Sequence, residues 1–314
     1  MPKVEPIREG MFPEIHREFL ESFDYELTRA DWAPLFEIRP HSGQDHTGYA
    51  LTDNGKLVGV LGMIFSERQL AGKTLPVCNL HTWMVKPEYR GHSLLLMRAP
   101  LKYKNHVIID LSPTEGVQKI STKLGFKTLD STLCALLPTV LPVHENAIQA
   151  CQQIDLLTSR ILSPVDRQLF LDHSQAHMNH MVLETEEGPL YVIYSLVTRW
   201  RLNYCQIHYH NDDRLFEAHS DTIRHAIMQK TRCTFVAMHD RIARRMLLPR
   251  TLSLPIANRQ LYLGNDEDAA HVDTLYTDIS LLNLTSLGLK EIFRSLKVAS
   301  TSWLDRPTNL AASL

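Results

Sequence analysis

Between Tyr49 and Phe126 the chain alternates between strand-like and helical stretches, and this alternation constrains its fold more than any other feature. Residues 49–51 and 57–67 read as strands, joined by Asp53-Asn54-Gly55, whose Asn-Gly step suits a tight hairpin. Gly72-Lys73 makes a second turn into a strand over 75–85, which Pro87 ends. A short helix is expected from about Arg90, and Pro100 limits its length. The apolar run HVIIDL at 106–111 fits a buried strand, and 114–124 reads as a helix with Gly125 at its C-cap. Strands followed by strand–helix–strand–helix define a mixed α/β sheet. Upstream, Ile15, Phe19, Phe23 and Leu27 share one face of a helix predicted over 14–30.

The same order of elements recurs further on. A Pro-punctuated connection over 131–144 leads into a helical pattern at 145–162, and Ser163-Pro164 has the form of a helix start. Strands follow at 181–184, 190–198 and 202–209, the first two separated by a turn at Glu186-Glu187-Gly188. A helix at 215–230, a strand at 234–238 and a helix at 241–248 complete the run. This is a duplication of element order with little residue identity, and it divides the chain into domains at 1–140 and 141–314. The tail adds helical patches at 274–284 and 289–296.

Composition narrows the class. The 314 residues are 44% hydrophobic and 22% charged, with a formal charge of -2, which excludes global disorder and gives no field that would draw the chain to nucleic acid or an anionic membrane. The five cysteines are odd in number and form no CxxC pair, which fits a reducing compartment better than a disulfide framework or a zinc ribbon. The opening MPKVEPIREG has no apolar signal region, and the longest uncharged apolar stretch, 131–143, is broken by Pro138 and Pro142. The expectation is a cytoplasmic protein with no membrane and no nucleic-acid partner; the oligomeric state is left open.

Chemistry concentrates between Leu80 and Phe126. A strand ends at Pro87 and a helix starts within a few residues. The first N–H groups of such a helix lack internal partners and, with the helix dipole, form an anion site. Gly91 permits close backbone approach, and Arg90 adds positive charge. Val85, Pro87, Glu88, Tyr89, Arg90 and Gly91 at this turn, followed at the right separation by Lys123-Leu124-Gly125-Phe126, resemble the GNAT superfamily of acyl-CoA-dependent N-acyltransferases over about 80 residues. The resemblance implies a GNAT-like α/β fold, here duplicated, and acetyl-CoA or another acyl-CoA as substrate. It places the pyrophosphate against Arg90, Gly91, His92, Ser93 and Leu94, and the pantetheine arm along Trp83, Met84 and Val85.

The family loop has small residues where Ser93 and Leu95 stand, and an Asn and a thiolate-protonating Tyr where Thr114 and Ser121 stand. Ser121 is the acid candidate by position, with Tyr103 as a substitute. His81, two residues before Trp83, is the candidate base, weighed against an ordinary structural histidine. The corresponding loop of the second half, His210 to Arg214, places Asp212 and Asp213 where they would repel a pyrophosphate, so only the first half should bind the nucleotide. His173, His177 and His180 at i, i+4 and i+7 suggest a metal face if one helix carries them, but a polar face is the better reading. His208 and His210 read as a solvated strand edge, and Arg241, Arg244, Arg245 and Arg250 as a solvated helix face or an anionic-substrate site. The expected activity is acyl transfer to an amine of a small molecule or amino sugar. The alternatives are a degenerate GNAT module serving as a non-catalytic binding or assembly protein, and a Fem-like aminoacyl transferase.

Overall fold

The computed structural model describes residues 1–24, 26–39, 42–70, 72–138, 151–154, 161–199 and 202–288. Strands β1 (Lys3–Pro6), β2 (Gly48–Asp53), β3 (Lys56–Leu70), β4 (Lys73–Val85), β5 (Val107–Asp110) and β6 (Lys127–Thr128) belong to one sheet. Strands β8 (Cys151–Gln153), β9 (Met178–Thr185), β10 (Gly188–Arg199), β11 (Leu202–His210), β12 (Val236–His239) and β13 (Thr251–Pro255) belong to a second. Each sheet is completed by a strand from the other half of the sequence. β7 (Thr132–Leu136) lies between β12 and β13, and β14 (Leu261–Leu263) lies between β5 and β6.

The two sheets therefore have one topology. The order β1-β2-β3-β4-β5-β14-β6 matches β8-β9-β10-β11-β12-β7-β13, position for position. In both, the parallel contact is the fourth strand with the fifth, β4 with β5 and β11 with β12, and the other pairs are antiparallel. This is the duplicated α/β arrangement expected from the order of elements. A residue trace of it survives: Cys78-Asn79-Leu80-His81 of β4 corresponds to Cys205-Gln206-Ile207-His208 of β11. A division at residue 140 does not follow the sheets, because β7 and β14 cross it in opposite directions.

Side-chain alternation assigns the layers. On β3, Val60 and Ile64 enter a core shared with Phe170, Val182, Tyr191 and Ile193 of the second half, whereas Leu61, Met63 and Phe65 face Leu96, Met97 and Ile108 on the other side. One continuous apolar layer thus joins the halves. The crossing point is clamped by Arg241, which pairs with Asp130, donates to Val272 O at 2.6 Å and reaches Gln260 Oε1 at 3.2 Å. Asp130 and Gln260 stand just before β7 and β14, and Gln260 N–H donates to Asp130 O at 3.0 Å. The arginine reading is corrected here. Arg241 is buried, Arg244 pairs with Asp240 and Arg245 with Asp213, so the group is not one solvated face.

Local signals account for most elements. Asn54 (φ 50°) and Gly55 (φ 75°) supply the two positive φ values that a two-residue hairpin turn requires. Helix α4 (Glu115–Lys123) begins at Thr114, whose Oγ1 accepts from Val117 N–H. It ends with Gly125 at φ 96° and Phe126 N–H donating to Ser121 O, a Schellman closure. Ser163 caps the Pro164–Asp172 helix as expected.

Four expectations are corrected. In place of one helix over 14–30 there are α1 (Phe12–Ile15), a π-helical turn at His16–Leu20 and α2 (Arg29–Trp32). The Thr28–Asp31 capping box starts α2 afresh and leaves Phe23 61% exposed. The 131–144 connection contains β7, an interior strand whose Leu133, Ala135 and Leu136 are all buried and so lack the alternation that marks a strand. Within 145–162, Cys151–Gln153 is a strand paired with β9, and most of the rest lies outside the described residues. Of 274–284, only Asp278–Leu281 is α-helical, and 289–296 lies outside the described residues.

Candidate active site

β4 and β5 are paired only from Val77 to Asn79 against Val107 to Ile109; beyond Asn79, β4 runs on to Val85 with β3 as its partner on one side. The divergence is accentuated by a bulge. Gly62 faces His81 and Val60 faces Met84, so Thr82 and Trp83 together oppose Leu61, and Thr82 takes φ 49°. A β-branched residue in the left-handed region is an outlier that the surrounding structure must hold in place. The fork opens a cavity of about 180 Å³. His81, Thr82, Trp83 and Met84 of β4 and Asp110 of β5 line it, with Ser112, Pro113, Thr114 and Val117 at the start of α4. Leu20, Phe23, Leu27, Trp32 and Leu35 close it from the N-terminal helices, and Asp278 and Leu282 enter from the second half.

His81 is buried, with its Nδ1 2.9 Å from Thr82 Oγ1 and, among the described residues, no hydrogen-bond partner at Nε2. Burial, reinforced by the positive field of Arg39 and opposed by the nearby Leu35 carbonyl, drives its pKa down to about 3. An imidazole this weakly basic stays neutral at pH 7 and is poorly matched to taking a proton from an alkylammonium group. Its place depends on Gly62, where a Cβ would stand 2.1 Å from His81 Cε1. Gly62→Ala is expected to displace the ring and to lower stability by about 1–3 kcal/mol, the range for overpacking a filled core. A denaturation midpoint equal to the parent's would contradict that contact.

Two buried carboxyl groups, Asp110 and Asp278, stand in the same cavity. Asp278, at the first position of its helix, accepts from Asn79 Nδ2 at 3.2 Å and from Ser112 Oγ. Asp110 is held by the Ser112 backbone N–H. Burial raises the pKa of both, and the Asp278 charge raises Asp110 further. Asp110 was visible in the sequence as the lone charge in the HVIIDL strand; Asp278 carried no such mark, since nothing in the sequence near it places it against β5.

The residues expected to hold CoA separate into two groups. Trp83 and Met84 line the cavity, and Val85 ends β4. Arg90, Gly91 and His92 are exposed, Ser93 is half-buried and Leu94 is 50% exposed; none of the five lines the cavity. The turn differs from the expected helix start. Pro87–His92 is a 3₁₀ helix, and α3 (Ser93–Met97) follows it. Tyr89 N–H already donates to Lys86 O and Ser93 N–H to Arg90 O, so fewer free amides remain than a direct strand-to-helix turn offers. Ser121 is fully buried on α4, its Oγ has no partner among the described residues, and it does not line the cavity. Tyr103 is engaged by His46 Nε2 at 2.8 Å and by Tyr49 OH at 3.0 Å, also away from the cavity.

In the second half Asp212 caps the Asp213–Thr231 helix through Leu215 N–H, and Asp213 accepts from His210 Nε2 at 2.6 Å and Arg245 Nη2 at 2.9 Å. Negative charge stands there where the first half presents Arg90. The histidine expectations are corrected. His173 ends a helix and His180 lies in β9, bonded to His173 O and Tyr191 OH, so no single helix face carries the three. Among the described residues no group of three or more His, Cys, Asp or Glu side chains could hold a metal ion. His208 and His210 are buried in an interior strand, not at a solvated edge; His208 lies between Ser195 Oγ and Thr274 Oγ1. No described helix is long and apolar enough to cross a membrane.

No protein-family model and no curated protein matches the sequence. Solved structures do match it in shape. A GCN5-related N-acetyltransferase from Anabaena variabilis ATCC 29413 is 12% identical, with 83% of this chain and 72% of that one covered at a TM-score of 0.53. A GCN5-related N-acetyltransferase from Kribbella flavida is 14% identical, with 86% and 73% covered at a TM-score of 0.51. The chain has the GNAT fold, as its two motifs implied. The tandem order of its sheets makes it a two-sheet version of that fold.

Proposed function

We propose that this protein transfers an acyl group from acyl-CoA to a primary amine of a small molecule. The observation that carries the reading is the fork between β4 and β5. It leaves strand backbone from Leu80 to Val85 free on one side, in a form suited to pairing with the amide groups of a pantetheine arm. Trp83, Met84 and Val85 would hold that arm, and the exposed Arg90–Ser93 turn at the end of β4 would hold the pyrophosphate. The acyl group then lies toward the cavity. His81 serves there as a neutral neighbour of the reacting atoms, not as the base. Cys78, Cys134, Cys205 and Cys233 are free thiols, which supports a cytoplasmic location.

The test is thiol release from acetyl-CoA in the presence of a panel of primary amines. Amine-dependent release is expected. Binding without release across the panel would favour the non-catalytic module. Arg90→Ala is expected to weaken acetyl-CoA binding by about 1–3 kcal/mol, the range for a charge-assisted hydrogen bond. Unchanged affinity in the folded variant would remove the phosphate site from that turn.

A further inference from the structure

We propose that Asp110 and Asp278 together form the seat and proton acceptor for the ammonium group of a small, otherwise apolar primary amine. This rests on the acyl-transfer reading and names the acceptor's chemistry. Asp24, Asp110 and Asp278 line the cavity, and no lysine or arginine among the described residues does. Asp110 is 7% exposed and Asp278 3% exposed, so neither carboxyl is paid for by solvent. Of the other buried carboxylates, Asp130 is answered by Arg241 and Asp273 by Arg68, and Asp166 is held by Ser163, Tyr209 and Asn211. Among the described residues the hydrogen-bond partners of Asp110 and Asp278 are Asn79, Ser112 and the backbone N–H groups of Asp278 and Ile279, all of them neutral. Among the described residues four further buried polar atoms lack partners here: His81 Nε2, Trp32 Nε1 and Trp83 Nε1 on residues that line the same cavity, and Asn79 Oδ1 on the side chain that holds Asp278.

The remaining walls state what the rest of the ligand is. Leu20, Leu27, Trp32, Leu35 and Leu284 surround the carboxyl pair with apolar surface. A cation with a compact apolar body fits this lining. The pair also differs internally. Asp278 has two side-chain donors and the backbone N–H groups of Asp278 and Ile279 to stabilise its charge, and Asp110 has one backbone N–H. Asp278 is accordingly the carboxylate and Asp110 the neutral acid.

The step balances. One ammonium proton passes to the Asp278 carboxylate, and the neutral nitrogen attacks the thioester carbonyl. The N–C bond forms and the C–S bond breaks. Asp110 gives its proton to the departing sulfur and takes the second proton from nitrogen. Asp278 returns its proton to solvent, so amide, free thiol and one proton are the products.

Phenethylamine, a primary ammonium on an apolar body, is the probe, titrated into the full chain and into folded Asp110→Asn and Asp278→Asn variants, with acetyl-CoA titrated in parallel. The parent is expected to bind the amine, and Asp278→Asn to weaken it at least about 30-fold, with acetyl-CoA affinity unchanged. Asp110→Asn is expected to preserve much of the amine affinity and to lower kcat by about 10²–10⁴, the range for a general acid or base. If the parent does not bind phenethylamine, or if Asp278→Asn binds it as the parent does, the proposal is overturned. Binding of the amine without binding of acetyl-CoA would overturn the acyl-transfer reading and leave the ammonium seat standing.

Discussion

Arg241→Ala lowers the unfolding free energy by about 3–5 kcal/mol, because it removes one partner of a buried ion pair and leaves the other uncompensated. The arginine holds both crossing segments at once. Its guanidinium meets Asp130 before β7, Gln260 before β14 and the Val272 carbonyl beyond β14. Losing it strips Asp130 of its cation in a site only 5% exposed. The exchange of β7 and β14 makes each sheet depend on the other half, so the loss spreads across both. A single cooperative transition at lower denaturant concentration is expected; two separated transitions would mean that the halves fold independently and that the clamp is local.

Acid destabilises this protein through histidines buried neutral. His81 and His208, equivalent positions in β4 and β11, are both held at a pKa of about 3, chiefly by burial. Between about pH 6.5 and 3 the unfolded chain carries a proton on each that the native protein does not. Stability therefore falls as pH drops through that window, by about 1.4 kcal/mol per pH unit for each histidine. The raised pKa values of Asp110, Asp130 and Asp278 act in the opposite sense, since they take up protons in the native state first. A comparison of variants cancels that opposing contribution. Urea unfolding at pH 5, 6 and 7 is expected to show a slope with pH that is shallower in His81→Gln by one proton's worth. Equal slopes would mean that His81 titrates alike in the native and unfolded states and keeps the basicity of an ordinary imidazole.

How far the sequence could be read depended on where each decision is made physically. Turns and caps are local, so Asn54-Gly55, Ser163 and Gly125 fall where their residue types require. The β3–β4 hairpin and the HVIIDL strand were legible for the same reason. The strand exchange was not, because Leu133 to Leu136 shows no alternation once both faces are buried, and nothing local says which sheet a short strand will join. The first half of the site was visible as a strand edge followed by a basic turn. Asp278 was not, because it reaches the cavity only through the packing of the second half on the first. The relation of Cys78-Asn79-Leu80-His81 to Cys205-Gln206-Ile207-His208 was present in the sequence throughout and becomes recognisable only once the sheets are aligned.

The central claim is that one half of a duplicated fold, the half whose fourth strand carries Arg90 beyond its end, binds acyl-CoA. Titration calorimetry of acetyl-CoA into the full chain tests it most directly. The account predicts saturable binding of one molecule per chain, weakened by Arg90→Ala and unaffected by Asp212→Asn in the corresponding loop of the second half. Absence of saturable binding, or two molecules per chain, would contradict it.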